Sequence, residues 1–252
     1  MKRLRVLKTA GIALAALGAL MTAAGALLQI NAEKDGYAGT VFTETAEFEA
    51  PRELVVITTD MPIRVSYGDT DTVKVTYTGG VPVIFTEKKG TLSMTQDDKF
   101  TVSLFTSRAD DIGIEVILPH KVYERISLSS SSGSIEALSL GADQLEFGTK
   151  SGDLSLSGID EWASVRTDSG KVFAQFSSLT GDMTVKAGAG DVTLVMPDEL
   201  SVYLEFFTES GSFTSERFDE RYYEKYGDAA VIYNDAKHKL GVSTTSGDLF
   251  RK

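Results

Sequence analysis

Residues 149–157 read TKSGDLSLS, and variants of the central SGD recur along the chain. They stand at SSGSI (131–135), DSGKV (168–172), GAGDV (188–192), ESGSF (209–213) and TSGDL (245–249). The central glycines, Gly133, Gly152, Gly170, Gly190, Gly211 and Gly247, are separated by 19, 18, 20, 21 and 36 residues. A period near 20 residues marks a solenoid, whose units cannot bury an apolar side alone and therefore stack.

The apolar positions keep register with the glycine. Seven residues before it stand Ile126, Leu145, Ala163, Met183, Leu204 and Leu240, and five before it Leu128, Phe147, Val165, Val185, Phe206 and Val242. Two after it come Ile135, Leu154, Val172, Val192, Phe213 and Leu249. Side chains alternate along a strand, so the first two rows share one buried face. Each unit reads as a half-buried strand, a tight turn at the glycine and a second short strand. The pattern predicts glycine at the turn for a positive φ, with the adjacent Ser or Asp bonding the local backbone. Gly141, Gly158, Gly181 and Pro197 mark the second turn. Six such coils, spaced ~4.8 Å apart, would rise roughly 30 Å.

The preceding segment carries the same design in weaker form. In ELVVITTDMPIRVSY, Leu54, Val56, Ile63 and Val65 fit the spacing with Met61 in place of glycine. VKVTY, TLSMT, FTVSLF and GIEVILP alternate as further strands. Residues 52–252 are thus expected to be one all-β domain, a single parallel β-helix-like solenoid with an insertion at 216–240. A linker and leading strand occupy 31–51.

Lys2, Arg3, Arg5 and Lys8 precede an uncharged apolar run from Thr9 to Ile30. As a helix these 22 residues would span ~33 Å, enough for a bilayer core. Residues 9–30 are therefore expected to form one N-terminal transmembrane helix, with the basic flank 1–8 cytoplasmic and the rest extracytoplasmic. The competing reading is a cleaved signal peptide ending near Ala24-Gly25-Ala26.

No acid precedes Glu33, so the exterior part carries 21 basic against 36 acidic residues, net −15. That charge excludes nucleic acid as a partner and contact with an anionic membrane surface beyond residues 9–30. Cysteine is absent, which removes disulfides, thiolate nucleophiles and cysteine metal sites. His120 and His238 stand outside any metal-ligand motif, and no serine-nucleophile elbow, phosphate loop or dinucleotide fingerprint occurs. Stacking would bring Asp153, Asp191 and Asp248 near one another, but Lys171, Ser134 and Ser212 interrupt that column. Local turn formation accounts for these aspartates better than Ca²⁺, and no cofactor, metal or catalytic residue is assigned.

The insertion ERFDERYYEKYGDAAVIYNDAKHKL (216–240) concentrates aromatics among charges. Its Tyr222, Tyr223, Tyr226 and Tyr233 either cap the open end of the solenoid or anchor a partner. They are the candidate partner-binding residues.

The units at 149–154, 167–172 and 244–249 resemble the adhesin-like β-strand-repeat family of bacterial envelope proteins, the DUF4097 group. The stretches ITTDMPIRVSYGDTDTVKVTY (57–77) and IEVILPHKVYERISLSSSSGSI (114–135) are similar to it as well. The resemblance implies a non-enzymatic binding or scaffolding module of the cell envelope, adhesin-like or sensing envelope stress. Its expected partners are an envelope protein, a cell-wall polymer or a cationic peptide. The alternative is a polysaccharide-active β-helix enzyme using a pair of surface carboxylates.

Overall fold

Burial alternates along the repeat strands as their pattern requires. In Ala142–Thr149, for instance, Leu145, Phe147 and Thr149 are buried while Glu146 and Gly148 between them are partly exposed. The computed structural model describes residues 42–97, 112–159, 161–216, 222–225 and 228–252. The apolar run 9–30 and the stretch FTVSLF lie outside them. No helix among the described residues is long and apolar enough to cross a membrane.

The described residues begin with β1 (Phe42–Glu49), β2 (Glu53–Thr58), β3 (Ile63–Gly68), β4 (Thr72–Gly79), β5 (Val83–Lys88), β6 (Thr91–Gln96) and β7 (Gly113–Pro119). The clear repeats follow as β8 (Tyr123–Ser130), β9 (Ile135–Leu138), β10 (Ala142–Thr149), β11 (Leu154–Ser157), β12 (Ala163–Thr167) and β13 (Val172–Gln175). Then come β14 (Met183–Ala187), β15 (Val192–Val195), β16 (Val202–Thr208) and β17 (Phe213–Ser215). The chain ends with β18 (Tyr222–Lys225), β19 (Asp228–Tyr233), β20 (His238–Thr244) and β21 (Leu249–Arg251).

Each repeat places its first strand in one sheet and its second in another. The ten-stranded sheet runs β1-β4-β7-β3-β9-β11-β13-β15-β21-β17, and the eleven-stranded sheet runs β18-β19-β16-β20-β14-β12-β10-β8-β2-β6-β5. All pairings between repeats are parallel, as a solenoid demands. At three of the four sheet ends the outer strands pair antiparallel instead: β5 on β6, β4 on β7, β1 on β4, β19 on β16 and β18 on β19. At the fourth end β17 pairs parallel on β21. The antiparallel strands cover edges of the parallel stack that would otherwise template further pairing.

Spatial order departs from sequence order at both ends. The last coil, β20/β21, lies between β14/β15 and β16/β17. Likewise β2/β3 lies between β6/β7 and β8/β9. At the C-terminal end a pinned crossover accounts for the swap. The β18–β19 hairpin runs back along β16, and the chain then turns across the lead-in to β16 before pairing on its other side. Asn234 holds that turn, donating through Nδ2 to the carbonyls of Asp198 (3.2 Å) and Leu200 (2.8 Å). Its φ of 54° is a left-handed conformation that asparagine tolerates.

The glycine column has a different cause from the one its turn position suggests. None of the six central glycines has a positive φ; among the described glycines that conformation falls to Gly90, Gly113 and Gly158. What excludes a side chain is the coil beneath. An ideal Cβ on Gly190 would lie 1.7 Å from the Gly170 carbonyl oxygen, and one on Gly170 1.8 Å from that of Gly152. The contacts continue from Gly152 to Gly133 (2.1 Å), Gly247 to Gly190 (2.0 Å) and Gly211 to Gly247 (2.1 Å). The same column therefore records the swapped order. At its far end Gly133 sits over the carbonyl of Met61 (2.2 Å), which occupies the glycine position of the first repeat and is buried.

A second column, of hydroxyl residues, stands three residues before Met61 and before five of the six glycines, Ala187 interrupting it at Gly190. Ser130, Thr149, Thr167 and Thr208 accept the glycine N–H through their hydroxyls at 2.7–3.0 Å. Thr58 and Thr244 instead donate to the carbonyls of Met61 and Gly247, at 2.8 and 2.7 Å. Their oxygens also accept from the hydroxyls of Ser130 and Thr208 at 2.9 Å, tying adjacent coils together. These are amides and hydroxyls that would cost ~1–3 kcal/mol each if left unpaired when buried.

Gly170→Ala should lower stability by about 3 kcal/mol or more, because the clash is with backbone that cannot rotate away. Gly241→Ala, where an added Cβ meets nothing within 4 Å, should be neutral or stabilise by roughly 0.5 kcal/mol; denaturant titration separates them. Deleting Leu249–Lys252 should abolish the cooperative thermal transition, since it removes β21 from between β15 and β17. Survival of that transition would mean the last coil lies at the end of the stack.

Candidate binding face

The turn edge of the stack is chemically occupied. Asp153 Oδ1 accepts the Lys171 N–H at 2.8 Å, Asp191 Oδ1 that of Asp248 at 3.1 Å, and Asp248 Oδ1 that of Ser212 at 2.7 Å. The serines beside the glycines behave the same way: Ser151, Ser169 and Ser210 donate to carbonyls of the adjoining coil. The expectation of bonding to the local backbone is thus corrected, because both residue types bond from coil to coil. Among the described residues no group of three or more His, Asp or Glu is placed to hold a metal ion.

The outward rows of the two sheets differ in character. On the eleven-stranded sheet they mix ion pairs with exposed apolar side chains: Arg125 pairs with Glu146 at 2.6 Å and Lys239 with Glu205 at 2.6 Å, while Ile57, Ile84 and Phe207 stand exposed on the same sheet. A shallow, open depression there is lined by Glu53, Glu124, Arg125, Asp143 and Gln144. Its acids are partly engaged, Glu124 by Arg52 at 3.1 Å and Glu53 by the Thr91 hydroxyl at 3.3 Å.

On the ten-stranded sheet the register sets one row across five strands: Ser155, Phe173, Thr193, Phe250 and Thr214. A parallel row holds Ser157, Gln175 and Val195. Neither contains a charge. Phe173 stands between the small Ser155 and Thr193, leaving it 37% exposed. The rim is charged: Glu136 adjoins Ser155 and is bound to Arg64 at 2.7 Å, and Asp153, Lys171, Asp191 and Asp248 line the turn side. A neutral aromatic and hydroxyl patch with a charged rim has the composition of a contact surface.

The model of the Toastrack DUF4097 family matches the chain over residues 52–172 and again over 161–250. The chain belongs to this family. Among solved structures the Toastrack chain is similar to a "putative cell adhesion protein" from Clostridium sporogenes, at 13% identity and a TM-score of 0.49 over 84% of this chain and 99% of that one. It is also similar to a "putative adhesin" from Bacteroides fragilis, at 11% identity and a TM-score of 0.39 over 84% and 97%. No curated protein matches it.

Of the tyrosines in the Toastrack insertion, Tyr222 and Tyr223 belong to β18 and Tyr233 ends β19 on the sheet edge. Their side chains, and the whole of Tyr226, lie outside the described residues. The Phe173–Phe250 row was absent from the sequence reading. An isolated aromatic in VFAQ or DLFRK looks like an ordinary outward position until register aligns the two.

A cluster at the other end of the stack is structural. The Tyr67 hydroxyl reaches the carbonyls of Lys121 and Gly141 at 2.9 and 3.0 Å, and its ring lies 4.8 Å from that of His120. Lys121 Nζ donates to the Ala50 carbonyl at 3.0 Å and sits over the Tyr123 ring. Burial raises the pKa of Tyr67, Tyr77 and Tyr123, and Glu44 beside Tyr77 raises that one further. A tyrosine so shifted stays neutral when folded but ionises when unfolded. Stability should therefore be flat below the ordinary tyrosine value near 10 and fall as pH rises past it. Thermal melts across about pH 8–12 check this; an unchanged midpoint above pH ~10.5 would contradict the burial of these hydroxyls.

Proposed function

We propose that this chain is a non-catalytic binding module of the bacterial cell envelope, adhesin-like, tethered by residues 9–30 and displayed outside the membrane. The observation that carries the reading is the neutral aromatic and hydroxyl patch on a parallel stack whose turn-edge polar groups are bonded from coil to coil. A surface already rigid before contact loses little entropy on binding. The basic flank before the apolar run supports display of the remainder on the far side of the membrane. A sensing role in envelope stress fits the same arrangement, since a tether can pass occupancy of the face to a membrane partner.

The test is topology combined with capture. Full-length protein should remain in carbonate-washed membranes, be cut by protease added to intact spheroplasts, and be retained by isolated envelope material. Deletion of residues 1–30 should prevent its retention in the membrane. Recovery of the full-length chain from the soluble cytosolic fraction, or no retention on envelope material, would overturn the reading.

A further inference from the structure

We propose that the neutral row of the ten-stranded sheet binds a linear, uncharged β-linked glycan laid across the strands, about one sugar per coil. This rests on the binding-module reading above and names the ligand class of the same face.

The row alternates strictly: Ser155, Phe173, Thr193, Phe250, Thr214. Only β15 separates Phe173 from Phe250, which places them about 9.6 Å apart, two strand spacings. A β-linked chain whose successive sugars turn over has the same period of two. It presents equivalent ring faces to one side at every second sugar, with hydroxyls between them. The aromatic positions offer rings against which the C–H faces of sugars pack, and the Ser and Thr hydroxyls exchange hydrogen bonds with the sugars between. An α-linked chain curls and cannot hold that register along a straight row.

Charge decides against the cationic peptide among the candidate partners. A cationic peptide needs carboxylates, and this row has none although the exterior part of the chain carries 36 acids. A polyanion would be repelled by the net −15. An uncharged polymer is the ligand that both facts allow.

The test titrates full-length protein in detergent micelles with chitohexaose, cellohexaose, α-linked maltohexaose and polylysine, at low and high salt. The two β-linked hexamers should bind with little salt dependence and maltohexaose at least about tenfold more weakly. Phe173→Ala and Phe250→Ala should each cost about tenfold in affinity, while Phe173→Tyr, which keeps the ring, retains binding. Circular dichroism and thermal melts confirm that the variants are folded, as expected for outward positions. Folded alanine variants that bind β-linked hexamers like wild type would overturn the proposal, as would salt-sensitive binding to polylysine alone. Retention on envelope material without hexamer binding would sink the glycan assignment and leave the binding module standing. No retention on any material would remove both.

Discussion

Everything in this fold depends on how closely one turn lies on the next. The glycine column brings backbone onto backbone, with each glycine Cα facing the carbonyl of the glycine below. No side chain fits in that space. The approach holds the turns to the spacing of the paired strands, so the buried rows of Leu, Val, Ile and Phe continue from coil to coil as one core. The Ser and Thr column satisfies the buried amides that the approach would otherwise strand.

That arrangement also determines where function has room. Turn aspartates and serines are occupied in holding coil to coil, and the eleven-stranded sheet carries outward ion pairs. The ten-stranded sheet differs in carrying an uncharged row, in which Phe173 stands exposed between Ser155 and Thr193. Regular stacking turns a sequence period into a spatial row at one residue per strand. The row thereby matches a repeating polymer better than a compact ligand. The swapped last coil contributes to it directly: Phe250 lies in β21, and only its insertion beside β15 puts it two strands from Phe173.

Much of the architecture was legible in the order of residues. The rows seven and five before the glycine and two after it are buried in every repeat, from Ile126 to Leu249. Met61 occupies the turn position assigned to it in the weak first repeat. What escaped was whatever depends on neighbours across coils. A glycine in a turn invites a dihedral explanation, and the clash that excludes a Cβ becomes visible only once coils are stacked. Asp153 and Asp248 bond to the next coil for the same reason. The 36-residue step indicated an inserted segment but not that the chain would double back around β16. Alternation identifies a strand's faces and is silent about which strand lies beside it. The binding face depends on that same information, since Phe173 and Phe250 are 77 residues apart in sequence.

The coil order is the central claim, and the absence of cysteine makes it directly measurable. Lys186 pairs with Ser243, and Ser243 in turn pairs with Phe207. Under mild oxidation, Lys186→Cys with Ser243→Cys should form an intramolecular disulfide, because adjacent strands lie within its ~4.4–6.8 Å Cα range. Lys186→Cys with Phe207→Cys should not, being two spacings or about 9.6 Å apart. The reverse result, linkage of 186 to 207 and none to 243, would place the coils in sequence order and contradict both the swapped stack and the aromatic row built on it.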